Sequence, residues 1–331
     1  MNCEVLIDYL TFTVQTDKPD EVIRDYLAMD PDLFADPGYG FNGYTKCKAF
    51  SNILVGYEGR ENKYFNHMGV CVSMSGKGCR TFETYTKQGA TGDKDQLSPF
   101  MSLFKKLAGN EFIHVTRLDV ACDDHSGFLD MDELRYRYDE RLIRTRCSDK
   151  GYYDNQKGKD NAGKGLYIGS ERSDFRTRIY DKALEQGVDG HWIRVEMVMR
   201  GKNGGSFIEK LVDGTEIGVL AAQVLNDKFS FIEKDDCNIS RCSTCDWWRN
   251  FVQEVEAVRL IVRCAVQHSV GHLADWLRNQ VGPTLYIMSQ TIGFPSVWQM
   301  AEASKARLTP KQKALIVDWR NVQCASALPA G

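Results

Sequence analysis

At 331 residues with 43% hydrophobic side chains, the chain is long enough to bury one large or two medium cores and too apolar to be intrinsically disordered. A net charge of −3 excludes a protein that coats nucleic acid indiscriminately, because non-specific affinity comes from neutralising phosphates. Its 11 cysteines are an odd number scattered through predicted strands and helices, which points to free thiols rather than a disulfide framework. No run of 18 apolar residues occurs, and MNCEVLIDYL has neither a basic start nor a small-residue cleavage site. The expectation is therefore a cytoplasmic protein without membrane contact.

Residues 5–14 read as a strand with Tyr9, Thr11 and Thr13 on one face. Strict alternation sends Asp8 to the other face, so it is not counted as a ligand. Residues 19–29 read as a helix capped by Asp17 or Asp20. A turn-rich stretch containing Gly38, Gly40 and Gly43 follows, then strands at about 46–57 and 67–75. SGKGCR, residues 75–80, predicts a tight glycine turn whose amides and Arg80 offer a phosphate site, with a plain turn as the simpler reading. Apolar spacing gives helices over 96–108 and 130–146, on either side of a strand over 114–124. In residues 151–165, Gly158, Gly163 and Lys164 have the spacing of a phosphate-binding loop. The match fails, because Gly165 stands where a Ser or Thr would hold Mg²⁺ and a strand follows in place of a helix. A flexible basic loop is the expectation there.

Three strands come next, 166–169, 175–182 and 192–199, parted by ERSD and QGVDG. Helices over 207–211 and 217–225 and a short strand over 229–232 complete the first domain. A boundary is placed between 1–236 and 237–331. Cys237, Cys242 and Cys245 lie just past it without a fourth ligand nearby, so they read as free cysteines in a linker. Amphipathic helices follow at 247–266, 272–281, 284–291, 296–306 and from Pro310 through Trp319. The expected architecture is α+β: a mainly antiparallel sheet with flanking helices, then a smaller all-α domain.

Period two places Arg176, Arg178, Tyr180 and Lys182 on one face of their strand, Arg194 and Glu196 on one face of the next, and Arg117, Asp119 and Asp123 opposite Leu118, Val120 and Cys122. If the strand of Asp119 lies beside that of Glu196, two carboxylates and a tyrosine meet under a ring of arginines. Carboxylate oxygens suit a hard cation such as Mg²⁺ or Mn²⁺, and arginine forks suit phosphate oxygens. That constellation fits metal-assisted attack on a phosphodiester. No histidine pair has the His-hydrophobe-His spacing, so imidazole ligation is not expected, and His191 reads as an exposed loop histidine.

Five segments, IDYLTFT (7–13), VSMSGKGCR (72–80), TRLDVACDD (116–124), LYIGSERSDFRTRIYDKALEQ (166–186) and WIRVEM (192–197), occur in the order seen in the replication initiation factor family. Over residues 1–235 the chain resembles that family of rolling-circle initiators of plasmids and filamentous phages, with relatives among conjugative-element relaxases. The resemblance implies DNA strand nicking and transfer, with Tyr180 of R-x-Y-D-K as nucleophile. It would leave a 5′-phosphotyrosine link and a free 3′-OH at a single-stranded or cruciform origin.

On this reading Asp119 and Glu196 hold the cation, and Arg178, Lys182 and Arg194 stabilise charge. Asp123, four residues along the strand and roughly 13 Å from Asp119, is the weakest ligand candidate. From Leu134 to Lys182 there are 13 Lys and Arg against 8 Asp and Glu, a basic strip suited to DNA. The helical tail is open to origin recognition, docking of a host helicase or homodimer formation. A conjugative relaxase and a non-catalytic DNA-binding regulator stand as alternatives.

Overall fold

The computed structural model describes residues 3–59, 68–88, 99–155, 163–258, 282–307 and 316. In chain order the elements begin β1 (Cys3–Val14), α1 (Pro19–Asp25), β2 (Tyr44–Phe50), β3 (Ile53–Gly59), β4 (Val70–Met74), α2 (Gly76–Gln88), α3 (Pro99–Leu107), β5 (Ile113–Asp124) and α4 (Met131–Asp139). They continue with β6 (Ile143–Thr145), β7 (Lys150–Asn155), β8 (Gly163–Ile168), β9 (Phe175–Asp181), α5 (Lys182–Gln186), β10 (Ile193–Arg200), α6 (Lys202–Val212), α7 (Ile217–Lys228), β11 (Phe229–Phe231) and α8 (Asp246–Glu256). Two helices, α9 (Gly282–Ile292) and α10 (Phe294–Ala303), follow.

The chain divides into two compact units, one formed by residues 1–15, 71–76 and 100–262, the other by 16–70, 77–99 and 263–331. In the first, the strands run in the order β4-β1-β5-β10-β9-β8-β7. Each registered pair among β1, β5, β10, β9, β8 and β7 is antiparallel. The α+β expectation with a mainly antiparallel sheet therefore holds. One face is apolar: Val5, Ile7, Leu118, Val120, Cys122, Val195, Met197 and Ile179 are fully buried. Helix α6 packs on β5 and β10, and α7 and α8 pack on β1. Burying a Leu, Ile or Phe side chain contributes about 1.5–3 kcal/mol, so this face fixes the register of the strands and hence the opposite face.

In the second unit β2 and β3 form a hairpin, and α1 packs on β3. Helix α1 ends at Asp25 and has no side-chain cap, in place of the predicted cap by Asp17 or Asp20. SGKGCR is not a turn: α2 begins at Gly76, and within it Arg80 pairs with the buried Glu83 at 2.7 Å. Gly78 is what lets this helix approach, since a Cβ there would lie 2.3 Å from the Asn52 carbonyl oxygen. Helices α9 and α10 pack on each other, and Tyr286, Phe294 and Trp298 are exposed.

Other boundaries moved for local reasons. The predicted helix over 130–146 is capped by Asp130 but stops at Asp139, because Arg141 takes a φ of 58° and sends Leu142 into the lead to β6. Residues predicted as a basic loop are partly the β7–β8 hairpin, and 156–162 lie outside the described residues. So do the predicted helices over 272–281 and 310–319, apart from residue 316. The described cysteines are free thiols.

The expected boundary at 236/237 falls in a loop tied back to the sheet unit. Ile232 bridges Thr244, and the Cys245 amide donates to the Phe231 carbonyl at 3.0 Å. Arg144, counted in the basic strip, spends its guanidinium on Ser230, the Cys242 carbonyl and Thr244. Arg137 is buried and held by Glu133, Glu233 and the Ile232 carbonyl. Both are structural ties rather than a track for DNA. Beyond the loop, α8 buries Trp248, Phe251, Val252 and Val255.

Candidate active site

The polar face of the first unit is built in transverse rows, because directly opposed residues of antiparallel strands share a face. One row reads Tyr153, Gly165, Tyr180, Arg194, Asp123, Glu4 from β7 to β1. The next reads Gly151, Tyr167, Arg178, Glu196, Ala121, Leu6. In a third, Arg176 faces Val198, which faces Asp119, which faces Tyr9. Asp119 and Glu196 are thus diagonal neighbours, with the small side chain of Ala121 leaving room for both carboxyls.

The structure brings Tyr180, Arg178 and Glu196 into direct contact. The Tyr180 hydroxyl donates to Glu196 Oε2 at 3.1 Å, and Arg178 Nη2 donates to both Glu196 oxygens at 2.6 and 2.7 Å. Asp119 accepts from Arg117 Nε at 2.8 Å and from Nη2 at 2.6 Å, while the Arg117 guanidinium lies 4.4 Å from the Tyr9 ring centre. Lys182 is not on the strand: β9 ends at Asp181, which caps α5. Its ammonium nevertheless sits 5.5 Å from the Tyr180 ring centre, as does the Arg178 guanidinium, and it pairs with Glu185.

Asp123 lies in the row of Tyr180 and Arg194. Both its oxygens accept from Arg194, at 2.6 and 2.8 Å, and Arg194 also donates to Asp8 at 2.9 Å. Asp123 is grouped with Glu4 and His125, one ligand atom from each lying within 4.8 Å of the others, a set able to hold a metal ion. Histidine spacing along the chain did not reveal this group, because it joins Glu4 of β1 to Asp123 of β5 and to His125 just past the end of β5. His191 is an exposed loop histidine, as expected, and its Nε2 lies 3.3 Å from the buried Asp124.

Asp8 was the residue sequence reasoning discarded. The register of β1 against β5 slips between Ile7 and Tyr9, and this bulge turns Asp8 to the polar side where Arg194 reaches it. The signal was present: the core residues Val5 and Ile7 are followed by Leu10, Phe12 and Val14, a skipped beat in the alternation.

Electrostatics set the resting state. Burial, and then the Glu196 charge, push the Tyr180 phenol well above its ordinary value, while Arg194 pulls it down. Burial and the neighbouring Glu196 carboxyl likewise raise Asp119, to about 7, against the opposing pull of Arg117. A raised carboxyl pKa contributes stability that is full below about pH 4 and lost as pH rises towards 7, on the order of 2–4 kcal/mol. In chelator, then, the melting temperature of the wild type should fall by several degrees relative to that of Asp119→Asn between pH 5 and 7.5. Parallel profiles would show that Asp119 ionises normally.

The first unit thus presents an antiparallel sheet that carries a buried tyrosine on a carboxylate, among arginine-held acids. Residues 113–297 match the replication initiation factor family, and residues 4–94 match the rolling circle replication initiation protein N-terminal domain. The chain belongs to the replication initiation factor family, whose members include rolling-circle initiators and relaxases. It is similar to "Putative DNA relaxase NicK" of Bacillus subtilis (strain 168), 26% identical over 94% of this chain and 88% of that one. It is also similar to a solved rolling circle replication initiator protein from Geobacillus stearothermophilus, with a TM-score of 0.67 and 25% identity over 79% of this chain and 99% of that one.

Proposed function

We propose that the protein nicks origin DNA by attack of Tyr180 on a phosphodiester, leaving a 5′-phosphotyrosine link and a free 3′-OH. The observation that carries this reading is the hydrogen bond from the Tyr180 hydroxyl to Glu196, inside a face lined with arginines. Tyr180 Oη forms the new bond to phosphorus as its proton passes to Glu196, the bond from phosphorus to the 3′ oxygen breaks, and that oxygen leaves as a hydroxyl on taking a proton from water, to which Glu196 later returns the phenol's proton. Glu196 lies where it accepts the phenol proton, and Lys182 and Arg178 flank the ring where the phenolate charge develops. A phenol with an ordinary pKa near ~10 needs such help, the more so here because burial raises it further.

The Asp119–Glu196 pair fits a divalent cation such as Mg²⁺ or Mn²⁺ in its donor chemistry: the donors are all carboxylate oxygen, and the Glu196 charge that helps raise Asp119 is one a cation would offset. When bound, the metal would supply positive charge to the phosphate oxygens. The set of Glu4, Asp123 and His125 is a second place for a cation, and at both places arginines already hold the carboxylate oxygens, Arg194 on Asp123, Arg117 on Asp119 and Arg178 on Glu196.

Glu196→Gln and Asp119→Asn should each reduce nicking of supercoiled origin DNA at least about a hundredfold, because a carboxylate's charge both draws the cation and accepts the proton. Mn²⁺ should raise the melting temperature of the wild type at pH 7.5 and leave both variants unmoved. Equal stabilisation of all three would place the cation elsewhere, and full wild-type nicking in chelator would dismiss it. A relaxase starting DNA transfer with the same cut is the second reading, favoured by the relative that matches 94% of the chain.

A further inference from the structure

Tyr153 occupies the same transverse row as Tyr180, with only Gly165 between them. The two glycines of β8 on this face leave a flat bed that the Tyr153 ring lies across. A Cβ at Gly165 would meet its Oη, Cζ and Cε1 at 2.4, 2.5 and 2.6 Å, and one at Gly163 would meet Cε2 at 3.7 Å. One ring face is therefore spent on glycine backbone, an arrangement that also repairs a weak strand. The residue as a whole is nevertheless 38% exposed, so its other ring face is open to solvent.

Charges of both signs surround the ring, Arg178 and Arg176 together with Glu185 and Glu196. Arg178, whose side chain is 44% exposed, borders the ring from the row that also contains Glu196. Farther along the face the Arg176 guanidinium stacks 4.9 Å from the Tyr167 ring centre, which leaves Tyr153 as the more open platform. Every nucleobase has a π face, so a flat aromatic ring beside an arginine binds single strands with little regard to sequence.

We propose that Tyr153 is a stacking platform for a nucleobase of single-stranded DNA next to the bond attacked by Tyr180, an inference that rests on the nicking function proposed above. The row supplies the geometry: the base settles over Gly165 and Gly163 on Tyr153, its backbone runs past Arg178, and the neighbouring phosphate arrives at Tyr180. Tyr153 thus holds the strand in register for a nucleophile that cannot move within its sheet.

The test is binding of fluorescein-labelled (dT)16 to the full chain at low salt in chelator, where no cleavage competes, alongside a 16-mer of abasic residues. Tyr153→Phe keeps the ring and should bind (dT)16 within about twofold of the wild type. Tyr153→Leu still covers the glycines but has no π face, and should bind about tenfold more weakly. The abasic strand should bind wild type and Tyr153→Leu equally, since it has nothing to stack. Equal (dT)16 affinity of wild type and Tyr153→Leu overturns the platform while leaving the nicking function standing. A loss in Tyr153→Phe as large as in Tyr153→Leu also overturns it, and assigns the contact to the hydroxyl. Failure of the wild type to bind (dT)16 at all overturns the DNA reading itself.

Discussion

Tyr180→Phe should retain the fold and single-strand binding while losing the covalent DNA adduct and at least about a thousandfold of the nicking rate. The ring is 7% exposed, and its packing against Arg178 and Lys182 depends on the aromatic face, which phenylalanine preserves. What disappears is a single oxygen, the donor to Glu196. Losing one hydrogen bond to a charged group costs about 1.5–3 kcal/mol if the acceptor is left buried. Glu196 keeps both bonds from Arg178, so a drop in melting temperature of a few degrees is the most the variant should show. The decisive measurement is denaturing-gel detection of labelled oligonucleotide bound to protein. An adduct in Tyr180→Phe at the wild-type rate would move the nucleophile to another tyrosine, and Tyr153 in the same row and Tyr167 in the next are the nearest alternatives on that face.

Much of this face was legible in the chain because period two is rigid: once Leu118, Val120 and Cys122 are inward, Arg117, Asp119 and Asp123 have no choice. The pairing of β10 with both β5 and β9 is not encoded in alternation, and it stood in the sequence only as a condition that the register meets. What was not legible depends on events that alternation does not encode. A bulge carried Asp8 to the arginines, and a left-handed Arg141 cut the helix that Leu142 was thought to continue. Glycine misled in one place and was passed over in another. SGKGCR has the composition of a turn, yet Gly78 serves close helix approach, and Gly165 looked like a failed phosphate loop although it is the bed of Tyr153. Charge counting misled for a similar reason, since Arg137 and Arg144 carry formal charge that the structure has already spent on carbonyls and carboxylates. Net charge along a segment says how many cations exist, and only packing says which are free.

Ending the chain at Asp236 should produce a protein that does not hold its fold, whereas ending it at Val258 should leave a stable nickase that has lost selectivity. The first cut removes Trp248, whose ring centre lies 5.0 Å from that of Phe229, 5.1 Å from Phe231 and 5.4 Å from Phe251. Trp248 is fully buried, and losing such a side chain alone costs about 3–5 kcal/mol, a large part of the roughly 5–15 kcal/mol that holds a domain together. The same cut strips Arg144 of its partners at Cys242 and Thr244 and frees the Gly218 amide from the Val258 carbonyl. Ending at Val258 keeps these contacts and the whole polar face. Cutting is local chemistry on a strand laid across that face, while finding one origin needs readout over a longer surface. The 1–258 fragment should therefore cleave a single-stranded origin oligonucleotide at close to the full-length rate, and lose at least about tenfold of its preference for double-stranded origin over unrelated duplex. Its remaining duplex binding should fall steeply with salt, as phosphate contacts do. Melting curves for the two fragments and competition binding with the longer one decide the matter. Undiminished origin preference in 1–258 would put recognition in the sheet unit and assign the tail to partner docking or self-association.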